Sequence, residues 1–323
     1  MIRFIVQTLV VTAVLMSPRF ASGEEGRTLP MIGLAIPVDQ VSDAPAQKAF
    51  RDGLRDLGYV DGKNVTVVVR YANSDPMKLR ENIQELIQLK VNVLIGEAPT
   101  LREATTTIPI VSIMGDPVRI GLAESLARPG GNVTGLSSQG YDIVPKQLEL
   151  TKELVPSLKR LYLLFEENAD PDLATYADVE FRALARNFGM DVRLLPVRSL
   201  EDIRAALKTV HEERPKALMV WSTPLTSQYH RTIMNSVAHR LPVISTWRGF
   251  AQAGALLTYS VDFLDLFRRE ATYVDKILKG AKAGDLPIEQ PTKFELIVNL
   301  RTAKALGVTV PESIIVRASE IIR

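Results

Sequence analysis

Residues 31–70 read MIGLAIPVDQVSDAPAQKAFRDGLRDLGYVDGKNVTVVVR, and the order of patterns within them sets the architecture. Met31 to Ile36 is a short apolar run of the kind that forms a strand. Phe50, Leu54 and Leu57 then recur four and three apart, the stripe of an amphipathic helix, and Val65 to Arg70 returns to a β-branched run. Strand, helix and strand in this order form a βαβ unit, whose two strands lie parallel in one sheet.

The alternation continues outward from this unit to about residue 280. Further strands are predicted at Val91 to Ile95, Ile108 to Ile113 and Asn132 to Leu136, with a helix carrying Leu79, Ile83, Leu86 and Ile87 between them. After Leu136 the pattern restarts, with strands near Leu161 to Phe165, Asp191 to Leu195, Ala217 to Trp221, Leu241 to Ile244 and Ala255 to Tyr259. Ala177, Phe181, Leu184 and Phe188 mark one helix of this half, and Leu200, Ile203, Leu207 and Val210 another. Two similar sets of about five strands predict two doubly wound α/β lobes rather than one long sheet. The most regular helix follows, with Leu264, Phe267, Ala271, Val274 and Leu278 on one stripe and a stop at Lys279-Gly280. Lys293 to Val298 and Arg301 to Leu306 add a last strand and helix.

Composition narrows the function. Residues 1–23 read as a secretory signal, with Arg3 in a positive leader, an apolar stretch from Phe4 to Met16 and small residues at Ala21-Ser22-Gly23. Without them the 323-residue chain keeps 300 residues, enough for two ordinary domains. Arg3 and Arg19 go and no acid does, so 39 basic residues become 37 against 37 acidic ones. This neutral balance carries no electrostatic footprint for nucleic acid or anionic lipid. The sequence has no cysteine, which excludes disulfides, thiolate metal sites, cysteine nucleophiles and a lipobox anchor. Its three histidines, His211, His230 and His239, have no metal-ligand spacing, so neither a metal nor a cofactor is expected.

No catalytic constellation is apparent. The chain has neither a G-x-S-x-G elbow nor a Walker loop, and its one glycine-rich run, residues 128–135, precedes a strand rather than opening a helix. Asp75-Pro76, Asp116-Pro117, Asp170-Pro171 and Thr223-Pro224 each pair an N-cap side chain with a proline suited to the first helical position. Each follows a predicted strand, so these pairs mark the carboxyl edges of the sheets, where doubly wound folds bind ligands. Glu97, Asp116, Glu166 and Asp262 also follow strands, and of these Glu97 has no evident capping partner.

Longer runs carry a resemblance. FRDGLRDLGY at 50–59 with GKN at 62–64, TIPIV at 107–111, GDPV at 115–118, GLAESLARPGGNVTGL at 121–136, YVDKILKG at 273–280 and LPIEQPTKFEL at 286–296 make the chain similar to ABC transporter substrate-binding proteins of the tryptophan- and tyrosine-binding group. The resemblance implies the type I periplasmic-binding fold: two lobes joined by three crossovers, a solute held between them, and closure by hinge bending. It places the crossovers near Leu136 to Gly140, Tyr259 to Asp262 and Pro287 to Pro291. The first lobe would hold residues 30–137 and 261–288, and the second 138–260 and 289–323. Glu97-Ala98-Pro99-Thr100 and Tyr259-Ser260-Val261-Asp262 depart from the group's usual residues on the cleft wall.

On this reading the cleft is lined by Val38, Glu97, Asp116 and Ser137 from the first lobe and by Glu166, Asn168, Ser222, Thr223, Thr246, Trp247 and Asp262 from the second. Helix N-termini and hydroxyls would take a ligand carboxylate, and Glu97 or Asp262 an ammonium. Trp247 either stacks on the ligand or packs within its lobe. The expected function is capture of an amino acid or similar solute in the periplasm, with delivery to a membrane permease and its ATPase and with no reaction catalysed. The competing readings are a sensor presenting its ligand to a signalling receptor and a doubly wound enzyme.

Overall fold

In the computed structural model, residues 28–169, 172–237 and 240–323 are described. The signal at 1–23, the Asp170-Pro171 pair and His239 lie outside them. The first half runs β1 (Met31–Ile36), α1 (Gln40–Asp56), β2 (Thr66–Tyr71), α2 (Pro76–Gln88), β3 (Val93–Gly96), α3 (Ala98–Ala104), β4 (Ile110–Met114) and β5 (Val133–Ser137). These strands form a parallel sheet in the order β2-β1-β3-β4-β5.

The second half runs α4 (Val144–Leu154), β6 (Arg160–Glu166), α5 (Leu173–Tyr176), α6 (Arg182–Asn187), β7 (Asp191–Val197), α7 (Leu200–Glu213), β8 (Leu218–Val220) and α8 (Pro224–Gln228). It continues through α9 (His230–Val237), β9 (Val243–Ser245), α10 (Arg248–Gln252) and β10 (Leu257–Val261). The long helix α11 (Phe263–Leu278) follows, then β11 (Phe294–Asn299), α12 (Leu300–Leu306), α13 (Glu312–Ile315) and β12 (Glu320–Ile322). The second sheet has the order β12-β11-β10-β9-β8-β6-β7. It is not wholly parallel, because the chain re-enters this lobe from the opposite end and β11 pairs antiparallel with β10.

Apolar runs without polar alternation are explained by helices on both faces of each sheet. Ile32, Leu34 and Ile36 of β1 point into a cluster with Phe50, Leu54 and α11, while Ala35 points into another with α2. Leu161, Leu163 and Phe165 of β6 likewise face away from Tyr162 and Leu164. Each fully buried side chain such as Phe50 contributes on the order of 2–3 kcal/mol through removal of apolar surface from water.

Helix α11 leaves the second lobe and packs on α1 of the first. The two backbones come so close at Gly53 that a Cβ there would lie 2.3 Å from the Arg268 carbonyl oxygen. Its buried face, with Leu266, Glu270, Ala271, Tyr273, Val274 and Ile277, is rotated from the predicted stripe. Leu264 and Phe267 instead face the space between the lobes.

The chain crosses between lobes three times: beyond Ser137, between Val261 and α11, and between residue 285 and β11. The strands of the hinge are tied together. Ser137 N–H donates to the Glu289 carbonyl at 2.8 Å, and Asp262 N–H donates to the Lys293 carbonyl at 3.0 Å.

Candidate ligand-binding site

Strand tips of both sheets face a shared cavity of about 1110 Å³. From the first lobe Val38 and Glu97 line it, directly after β1 and β3. From the second come Glu166 and Asn168 at the end of β6, Ser222 and Thr223 after β8, and Thr246 and Trp247 after β9. The carboxyl edges thus converge as expected of a doubly wound pair.

Three residues expected on the wall do not line the cavity. Asp116 opens a turn rather than a helix, and its carboxylate accepts the Arg119 N–H at 3.0 Å. Ser137 is buried in the hinge, donating to the Gly115 carbonyl at 2.9 Å and accepting the Gln139 N–H at 3.1 Å. Asp262 caps α11, accepting from the Asp265 N–H at 3.0 Å. In each case the local backbone claims the side chain that the sequence left free to point elsewhere.

Other wall residues escaped the sequence reading because they sit on helices that looked like core. Asp43 and Gln47 of α1 and Phe263, Phe267 and Glu270 of α11 line the cavity, as does Tyr141 of the first crossover. A signal was present for α1: Asp39 caps it, accepting from Val41 and Ser42, so the helix begins beside β1's tip and brings its first turn to the cleft.

Aromatic side chains form much of the second lobe's wall. The Trp247 ring covers Gly249, where a Cβ would lie 2.2 Å from it, and meets His230 edge to face at 5.2 Å. Trp247 thus packs within its lobe and also lines the cavity. Trp221 packs edge-on against Phe181 at 5.0 Å and Phe165 at 6.0 Å.

The electrostatics are one-sided. Burial, reinforced by the charge of Glu166 across the cleft and opposed by the Thr100 hydroxyl, pushes the Glu97 carboxyl up to about 7. Both glutamates are half-buried by surface, their open side being the cavity. Gly96 takes φ +151, and a Cβ there would press on the Ala35 carbonyl at 2.5 Å, so the chain enters Glu97 along a path that favours glycine. Burial also raises Glu166, although it accepts the Leu225 N–H at 3.1 Å. Asp43 and Glu270 form a second acidic pair; burial raises both, and Asp43 adds to the shift of Glu270. Among the described residues no lysine or arginine is fully buried, and no cluster of potential metal ligands occurs.

The lobes touch at both lips of the cleft. On one side the Ser74 hydroxyl donates to Gln228 Oε1, and Gln228 Nε2 donates to the Asn73 carbonyl at 3.4 Å. On the other, Arg119 of the first lobe pairs with Asp172 and Glu180 of the second, while its guanidinium lies 5.3 and 5.5 Å from the ring centroids of Tyr141 and Tyr176.

A clamp of two α/β lobes with converging strand tips is the architecture of a solute-binding protein of the type I periplasmic class. The chain belongs to the ABC transporter substrate binding protein family, which it matches over residues 31–322. It is 26% identical over 285 residues to a tyrosine-binding protein of Clostridioides difficile, covering 85% of this chain and 80% of that one. Among solved structures it resembles a Streptococcus pneumonia ABC domain in complex with L-Trp, at TM-score 0.82 and 26% identity, over 91% of this chain and all of that one. The ligand-free, open structure of a Clostridium difficile substrate-binding protein with adhesive properties gives TM-score 0.62 at 22% identity, over 91% of this chain and 99% of that one.

Proposed function

We propose that the chain is the extracytoplasmic receptor of an ABC importer, capturing an amino acid or similar small organic solute between its lobes and catalysing no reaction. The observation that carries this reading is the interlobe cavity, walled by strand tips from both sheets and crossed at both lips by side-chain bridges. Family membership and the tyrosine- and tryptophan-binding relatives support it. A ligand touching both lobes favours the closed form by the contacts it makes there and not in the open form. A permease and its ATPase would then receive that form, after export and removal of residues 1–23 places the protein in the periplasm. No helix among the described residues is long and apolar enough to cross a membrane.

The wall residues proposed to meet the solute are Val38, Glu97, Glu166, Asn168, Ser222, Thr223, Thr246 and Trp247. The test is mass spectrometry of small molecules released from natively purified protein, with X-ray scattering before and after their return. A stoichiometric solute that contracts the radius of gyration is expected. A protein that releases none, and contracts with none of a broad library of solutes, is not a receptor of this kind.

A further inference from the structure

Most positive features along the cavity wall are already matched by a carboxylate of the protein. The first turn of α8 donates its Leu225 N–H to Glu166, and the first turn of α2 donates to Asp75. Arg248 is ion-paired with Glu295 at 2.7 Å and with Glu320 at 2.6 Å, and Arg80 stands exposed at the rim. Of the helix starts on the wall without a side-chain cap, α3 begins at Glu97 itself, where a ligand carboxylate would meet like charge. The others are the first turns of α4, α5 and α10.

Glu167 and Glu295 on the wall are paired with arginines, but other negative features are not matched. Glu97 receives only a long contact from the Thr100 hydroxyl at 3.5 Å. Facing it from the other lobe is Glu166, whose hydrogen bonds come from neutral groups. Two carboxylates on opposite lobes, each turned toward one cavity and close enough to feel one another, resist closure when both are charged and reward a cation placed between them.

Building on the receptor reading above, we infer that the solute is an organic ammonium whose charged nitrogen is held between Glu97 of one lobe and Glu166 of the other. Its charge is what draws the lobes together. The cation supplies the differential contact that closure requires, since in the open form it can reach only one of the two carboxylates. The apolar body of the solute then rests among Trp221, Trp247, Phe263 and Phe267. A ligand carboxylate is tolerated beside α10 but is not what selects the ligand, so an amine should bind at least as well as the matching amino acid and much better than the matching acid. This replaces the expectation that helix ends and hydroxyls read a carboxylate first.

The experiment is isothermal titration near neutral pH with two series that vary charge on a constant body: tryptamine, tryptophan and indole-3-propionate, then pentylamine, norleucine and hexanoate. In at least one series the amine and the amino acid are expected to bind and the acid to fail. Glu97→Gln should weaken the cation on the order of 30-fold or more. Because the Glu97 side chain caps no backbone group, this variant should fold with an unliganded thermal midpoint no lower than that of the parent. Equal or tighter binding of the acid, failure of every cation, or undiminished cation binding by Glu97→Gln overturns the inference. If a neutral or anionic solute contracts the scattering envelope while cations do not, the inference falls and the receptor reading stands. If no solute of any charge binds or contracts the protein, both fall.

Discussion

The floor of the cleft and its Arg119 lip both set charged side chains of one lobe against the other, yet they are built on opposite terms. At the lip, Arg119 meets two carboxylates and two aromatic rings, is about one-third exposed, and has its proton held more tightly by Glu180 and Asp172. At the floor, Glu97 and Glu166 face each other, neither is ion-paired with a lysine or arginine among the described residues, and burial pushes both carboxyls up. A compensated, solvated network of this kind contributes little and tolerates change. An uncompensated pair in a cavity costs stability and persists where something else supplies the missing charge. On the proposed reading, the difference teaches that the lip adjusts the open–closed balance, while the floor decides what can close it.

The sharpest way to break this contrast is to supply the charge covalently. Glu97→Lys should pair with Glu166, shift the unliganded protein toward the contracted form in X-ray scattering, and weaken capture of amines on the order of 100-fold or more by titration. An unchanged radius of gyration would show that the two side chains do not govern closure.

Next in size is the effect of pH. Glu97 ordinarily titrates at 4.5 and is raised to about 7 in the fold, so the folded state keeps a proton that the unfolded chain has released. Its stabilising contribution is full below about 4.5 and is lost as pH rises through about 7. Glu166, Asp43 and Glu270 are shifted in the same direction, whereas His230, lowered by burial, works the other way. The unliganded thermal midpoint should fall by a few degrees between about pH 5 and about pH 8. Glu97→Gln should flatten that slope and gain about 1–3 kcal/mol at the alkaline end in denaturant titration.

The lip should respond less. Arg119→Ala is expected to cost about 0.5–1 kcal/mol of closure, read as a fewfold loss of ligand affinity that shrinks with added salt. Smallest of all, Gln228→Ala removes neutral hydrogen bonds at the other lip and should change affinity by no more than about 1 kcal/mol. If either lip variant exceeded Glu97→Gln in its effect on affinity, the ranking of floor above lip would be reversed.

Most of the fold was legible because period and length report burial directly. Met31–Ile36 appears as a strand at the predicted residues, and most other strands lie within two or three of theirs. The short helices α3 and α10 and the closing strand β12 were missed, since segments of three to seven residues are too brief to show a period, whereas α8 begins at the predicted Thr223-Pro224 start. The site was legible only in part. Glu97 and Glu166 line the cavity because they directly follow or end interior strands, whose carboxyl ends point to the cleft in any doubly wound lobe. Asp116, Ser137 and Asp262 sit at comparable positions but are claimed by a turn, a hinge and a helix cap.

The sequence alone determined the two lobes, the carboxyl edges that face the cavity and the absence of cysteine chemistry, because periodicity, chain order and composition are one-dimensional properties. Only tertiary structure decided that Glu97 and Glu166, 69 positions apart in number, address one another across a gap, and that α11 lends Phe263, Phe267 and Glu270 to its wall. Those facts depend on how one lobe is set against the other through three crossovers, and local spacing does not encode a distance between separate lobes.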